Sequence, residues 1–311
     1  PARPGGIPHL VRASTQRMSA ARQSPIFVLG TAQSDFAENW TRAGITIGAG
    51  AAGVGNAAIA DAGIDPNGVD VLHVSNFVSE TLTGQAHLGA LIADKMQLEC
   101  RTSRHEAACA SGSMAILAAM ADLRSGMADL AVVVGVEHMR AVSGADAGTA
   151  LGAAARVPEE GDGVQYPWPE MFSELGEEYD RRYGLDHAHL AAIGEQNFAN
   201  AKSNPLAQTR GWTFADGSFG TDDQLNPIVA GMIRRTDCSQ ISDGAAAVVL
   251  ANAAGAARWS ASSQKQRGGF AVIAGWGHRS SSHFDLKAKL HASRDESLVF
   301  PHVRGTVDDA L

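Results

Sequence analysis

The stretch HEAACASGSM, residues 105–114, sets one cysteine among alanine, serine and glycine, directly ahead of a helix-forming run. The thiolate is the nucleophilic form of cysteine. A helix N-terminus favours it, because aligned peptide dipoles and unpaired N–H groups stabilise negative charge there. Cys109 is thus placed where a thiolate nucleophile could attack an electrophilic carbon and form a covalent intermediate. Its small neighbours leave room for a substrate. The same position also suits a structural role, since a lone cysteine in an Ala/Gly-rich setting behaves as a small buried hydrophobe. Cys100 and Cys238 match no reactive motif and read as structural. Three cysteines at irregular spacing make neither a disulfide framework nor a zinc site, and they suggest a reducing compartment. His187 and His189 stand two apart and do not share a helix face, so no metal site is expected.

The elements that must position Cys109 follow from periodicity. PIFVLG (25–30) reads as a buried strand, and 46–63 as an Ala/Gly-rich helix stopped by AGIDPNG. VDVLHVSNF (69–77) reads as a strand and AHLGALIADKM (86–96) as a helix. Residues 101–109 lead as a strand into Cys109. The following helix carries Met114, Leu117, Met120 and Leu123 on one face. ADLAVVVGVEHM (128–139) is strongly apolar and reads as a strand buried on both faces. This β-α-β-α order predicts an α/β fold. Residues 140–234 differ in composition, with two polar amphipathic helices near 170–182 and 187–202, and read as an insertion. DGAAAVVLAN (243–252) returns as a buried strand. A polar linker (260–269) follows, then FAVIAGWG (270–277) as a new strand. FPHVRGTVDDAL (300–311) opens a helix with Phe300, Val303, Val307 and Leu311 on one side.

The chain has 311 residues, a formal net charge of −8 and 45% apolar residues, enough for a sizeable core. An acidic balance gives no footprint for nucleic acid. A local anion site remains open to it, because a helix N-terminus holds phosphate in an acidic protein. No apolar run reaches bilayer length. Residues 1–34 hold Arg3, Arg12, Arg17 and Arg22 and no acid. That stretch reads as a flexible extension (1–24), with Met18 a candidate start, or as an organelle transit peptide.

In order along the chain, EAACASGSMAI, ADLAVVVGVEHM, MFSELGEEYDRRYGLDHAHLAAIGEQNFANAKSNPLAQ, TDCSQISDGAAAVVLAN and VIAGWGHRSSS resemble the thiolase superfamily, specifically the sterol-carrier-protein-type thiolases and acetyl-CoA acetyltransferases. The resemblance implies a thiolase-like layered αβαβα fold with an inserted loop domain. It implies an N-terminal thiolase domain at 25–139 and 235–252, a loop domain at 140–234, and the start of an incomplete C-terminal domain at 264–311, the mark of a truncated second half. Cys109 then corresponds to the family nucleophile. Its backbone N–H would be one donor of an oxyanion hole. Ser239 corresponds to a serine that contacts the pantetheine of coenzyme A; a turn-forming serine is the other reading. Arg181, Arg182, Lys202 and Arg210 become candidates for the CoA phosphates, against a plain role on solvated helix faces.

The implied activity is cleavage of 3-ketoacyl-CoA by CoA, or condensation of acyl-CoA units, through an acyl-cysteine. CoA is a substrate and no resident cofactor is implied. The family's Gly-His-Pro, Cys-x-Gly, Asn-Glu-Ala-Phe and His-Asp-Cys-Phe motifs do not occur in the sequence. A catalytically silent thiolase-like subunit or scaffold is therefore the alternative. A β-ketoacyl synthase is the weaker one, since it lacks an insertion like 140–234. The resemblance further implies a homodimer or homotetramer, an OB-fold acyl-CoA-binding partner, and a cytoplasmic location, with a mitochondrial or peroxisomal one as the alternative.

Overall fold

A computed structural model describes residues 24–160, 164, 166–262 and 270–311. The expected extension at 1–24 and most of the linker at 260–269 lie outside the described residues. The chain opens with β1 (Phe27–Gln33), a short helix α1 (Trp40–Ala43) and the long helix α2 (Ile47–Ala62). Thr46 caps α2 by accepting the Ala49 N–H at 3.3 Å, and Gly63 ends it in the left-handed region. Then come β2 (Val71–Ser75), α3 (Ser79–Thr83), α4 (Leu88–Met96), β3 (Arg101–His105), α5 (Ser111–Ser125) and β4 (Leu130–His138).

After β4 the chain leaves the sheet. It forms α6 (Gly144–Gly152), α7 (Pro167–Tyr183), α8 (His187–Ser203) and a two-stranded hairpin of β5 (Ile228–Ala230) and β6 (Ile233–Arg234). It returns as β7 (Asp243–Ala251) and continues through α9 (Ala253–Ser262), β8 (Ala271–Val272), α10 (Leu286–Ala292) and α11 (Pro301–Ala310).

The main sheet has the order β3-β2-β4-β7-β1-β8. β2 pairs in parallel with both β3 and β4, while β7 runs antiparallel between β4 and β1. Alternation along each strand divides the core in two. Leu72, Val74, Val132, Val134 and Val249 face α2 and α4. Val71, Ala131, Val133 and Leu250 face α5 through Ala115, Ala119, Met120 and Leu123. The result is a mixed α/β sheet flanked by helices, and β4 is apolar from Leu130 to Val136 because both of its faces are covered. Helix and sheet come close where small residues meet. A Cβ on Gly30 would stand 2.4 Å from the Ala62 nitrogen and 2.6 Å from the Ala58 oxygen, so β1 reaches α2 only as glycine.

The strand expected at 270–277 shortens to Ala271–Val272. The reason is local. Gly275 and Gly277 lie against the carbonyls of Ala310 and Thr306, so this backbone packs on α11 instead of pairing in the sheet. Arg279 adds a two-pronged ion pair to Asp309 at 2.6 Å. The apolar side expected on α11 is turned outward, with Val303 52% and Val307 49% exposed. No helix among the described residues is long and apolar enough to cross a membrane.

Candidate active site at the end of the sheet

The carboxyl ends of β1, β2, β3 and β4 and the start of β7 share one end of the sheet, since Gln33 pairs Ala246 and His138 pairs Asp243. Cys109 lies there, in a single 3-10 turn (Ala108–Ala110) between β3 and α5, and its side chain is exposed. Ala108 adopts φ +47°, a left-handed conformation that strains a residue with a Cβ. Ser111 braces the turn from inside α5. Its hydroxyl accepts the Ala107 N–H at 2.9 Å and donates to the Ala108 carbonyl at 2.6 Å. No side chain caps the start of α5 beside the cysteine, and the Ser111 N–H is taken by the Ala108 carbonyl. Replacing Ser111 by alanine removes both bonds. We expect a loss of about 1–3 kcal/mol, read as a lower thermal midpoint.

Next to this turn, Asn76 ties β2 to β4, its amide donating to the Val136 carbonyl at 2.7 Å. Glu137 accepts the Phe77 N–H through one oxygen, while its other oxygen is buried without a partner. Burial pushes the Glu137 carboxyl up, against the pull of the Phe77 and Val78 N–H groups and the Arg104 charge. Arg104 itself pairs with Glu80 and donates to Asn76 at 3.0 Å. Sequence reasoning missed this network. Its signal was a glutamate closing an otherwise apolar strand.

A second cluster joins β2, β3 and α5. His73 Nδ1 lies 2.9 Å from His105 Nε2, and the Ser103 hydroxyl touches both rings at 3.0 and 2.9 Å. His73 Nε2 is 3.5 Å from Asp122, which also meets Arg101 at 3.2 Å. Burial pushes both histidines below their usual range, and for His73 the neighbouring His105 adds to the effect. A histidine with a depressed folded pKa is kept neutral by the fold, and its contribution is lost as pH falls. The unfolded chain then binds more protons, so stability should decline below about pH 6.5. His73→Asn is expected to flatten that decline, as read from urea midpoints at pH 7 and pH 5.

Ser239 lines a separate cavity of about 410 Å³ at the same end of the sheet, with Gln33, Phe36, Asn197, Cys238 and Ser242. It does not sit beside Cys109 in the strand order. β3 and β7 are separated by β2 and β4, three strand spacings or roughly 14 Å. Cys100 and Cys238 are half-buried, and burial pushes both thiols up, away from thiolate. Three of the four basic candidates are already engaged. Arg181 and Arg182 both grip Glu178, which they hold down to about 2, and Arg182 also donates to the Ser293 and Glu296 carbonyls. Arg210 makes two 2.8 Å bonds to Asp35. Lys202 makes no ion pair among the described residues.

The family model described as the thiolase N-terminal domain matches residues 35–210, more than half of the chain. An acetyl-CoA acetyltransferase of Methanothermobacter thermautotrophicus is 33% identical over 230 residues, covering 72% of this chain and 56% of that protein. Sterol carrier protein 2 of Bos taurus is 28% identical over 153 residues, covering 47% of this chain and 27% of that protein. The chain thus spans little more than half the length of the first of these relatives. Among solved structures, human mitochondrial 3-ketoacyl-CoA thiolase in complex with CoA superposes with a TM-score of 0.64 at 15% identity, covering 92% of this chain and 75% of that one. The α-β-α layering around an antiparallel β7, and the thiolase N-terminal match that runs through the Cys109 turn and helices α5 to α8, lead to one assignment: the chain belongs to the thiolase superfamily.

Proposed function

We propose that this chain performs thiolase-type acyl transfer through an acyl-cysteine at Cys109. The observation that carries the reading is the exposed sulfur at the uncapped start of α5, on the sheet end where the loops converge. In the first half-reaction, the Cys109 thiolate attacks the keto carbon of a 3-ketoacyl-CoA. The bond to the α-carbon breaks, an acyl-cysteine forms, and the departing carbanion takes a proton to leave as acetyl-CoA. In the second, the thiolate of free CoA takes the acyl group and restores Cys109. Condensation runs the same steps backward. The Cys109 backbone N–H would hold the developing oxyanion.

Ser239 and the 410 Å³ cavity around it are read as the slot for the pantetheine arm. Residues 140–234 are read as the inserted loop domain. CoA enters as substrate, and neither a metal nor a resident cofactor takes part. We further infer a homodimer or homotetramer, an OB-fold acyl-CoA-binding partner, and a cytoplasmic setting.

The second reading is a silent thiolase-like subunit, in which Cys109 never carries an acyl group. One experiment separates the two. Incubation with acetyl-CoA, followed by peptide mass spectrometry, should place one acetyl group on Cys109. Absence of any adduct under conditions where iodoacetamide labels the same cysteine would make the silent subunit the better account.

A further inference from the structure

Strand β3 is an edge of the main sheet, held through β2 alone, in parallel pairs that run from Val71–Arg101 to Ser75–His105. Under α5 the inner strands present Val71 and Val133. The same layer on β3 holds Arg101, Ser103 and His105 instead. His73 of β2 lies in this layer with only 4% of its surface exposed. Its Nδ1, the Ser103 hydroxyl and His105 Nε2 form a near-equilateral triangle with edges of 2.9, 2.9 and 3.0 Å.

Such a triangle closes only while the rings are neutral. Two ring nitrogens 2.9 Å apart hold one proton between them, one ring donating and the other accepting. A second proton sets two donors face to face. The surrounding charge does not compensate. Among the described residues, Asp122 on α5 is the carboxylate that faces the pair. It stands 3.5 Å from His73 Nε2, long for a hydrogen bond, and already meets Arg101 at 3.2 Å. From β4 the residue opposite His73 is Val133, which brings no charge. Two imidazoliums and the Arg101 guanidinium would therefore confront a single carboxylate in a layer poor in water. Burial already holds both rings below the usual histidine range, and His105 adds to the effect at His73.

We propose that the His73–His105 pair is an acid-released latch on β3: as both rings take up protons, β3 and the turn that follows it come away from β2, while β4, β7 and β1 stay paired. The strand order decides what gives way. β3 has a partner on one side only, whereas β2, β4, β7 and β1 each have two. Opening β3 alone frees His105 and uncovers one side of His73. Because β3 leads into the 3-10 turn Ala108–Ala110, its release also loosens the segment that carries Cys109. The sign follows from proton linkage. The opened strand binds protons at the ordinary histidine pKa of about 6.5 and the closed one below it, so acid favours opening. The device is independent of the acyl-transfer reading.

Hydrogen exchange of the full chain at pH 7 and pH 5, corrected for the intrinsic pH dependence of amide exchange, tests it. Residues 101–109 should lose at least about tenfold in protection between the two. At pH 5 they should stand about a hundredfold less protected than β4 and β7. His73→Asn and His105→Gln should each shrink the pH-driven loss at least about threefold. Asp122→Asn keeps both rings but removes the carboxylate that favours their charged form, so it should enlarge the loss. Equal protection of β3, β4 and β7 at pH 5 would mean one cooperative unit and overturns the latch. So does a loss that survives undiminished in the histidine variants, or one that Asp122→Asn leaves unchanged. Where one histidine variant fails to fold, the other and Asp122→Asn decide.

Discussion

Cys109→Ser should abolish acetyl transfer from acetyl-CoA to the chain, lowering the labelling rate at least about 10³-fold while leaving the fold intact. A serine hydroxyl fills the same space but is almost never ionised near neutral pH, and no base among the contacts described would take its proton. The turn itself does not depend on the sulfur. Ser111 and the Ala107–Ala110 backbone bond hold it from either side, so the thermal midpoint should move little. Stopped-time mass spectrometry reads the rate, and circular dichroism reads the fold. Equal labelling in the variant would place the acceptor elsewhere and remove the nucleophile assignment.

Asp243→Ala should be the most damaging single change to stability, costing about 3–5 kcal/mol. Asp243 is fully buried at the start of β7. One carboxylate oxygen accepts the Trp40 N–H at 2.9 Å and the other accepts the Arg140 N–H at 2.7 Å. It therefore joins three distant stretches: the start of α1, the chain leaving β4, and β7 itself. Alanine leaves two N–H groups unpaired and a void in their place. Asparagine keeps only one acceptor and presents an amide to the other donor, so it too should destabilise, though by less. Urea unfolding monitored by far-UV circular dichroism gives the comparison. A shift under about 0.5 kcal/mol would show that water or neighbouring groups replace the carboxylate.

The interior strands could be read from the sequence because their burial is written into it. VLHVS, LAVVVGVEH and DGAAAVVLA are short apolar runs bounded by turn residues, and they became β2, β4 and β7. The two polar helices were equally legible from spacing, appearing as Pro167–Tyr183 and His187–Ser203. The placement of Cys109 ahead of a helix also followed from local pattern. The order of strands did not, because pairing between β1 and β7 joins residues more than two hundred apart and leaves no local trace. The same holds for Arg181 and Arg182. On their helix they look like free cations, and only the fold shows that carbonyls at 293–296 and Glu178 claim them. The pairing of His73 with His105 was invisible for that reason too, since the two residues lie 32 apart on different strands.

The central place of β7 also sets an order of events during folding. β1 leaves the ribosome long before β7, yet its inner neighbour is β7 and its outer one is the two-residue β8. Until residue 251 has been synthesised, β1 has no strand to join, and β4 carries an open apolar edge. The parallel trio β3-β2-β4 can assemble early around α4 and α5, but the sheet closes only when the long excursion from β4 comes back. Such distant pairing is slow and exposes strand edges meanwhile. A nascent chain stalled before residue 243 should therefore present a sticky, half-built sheet to chaperones or to other copies of itself.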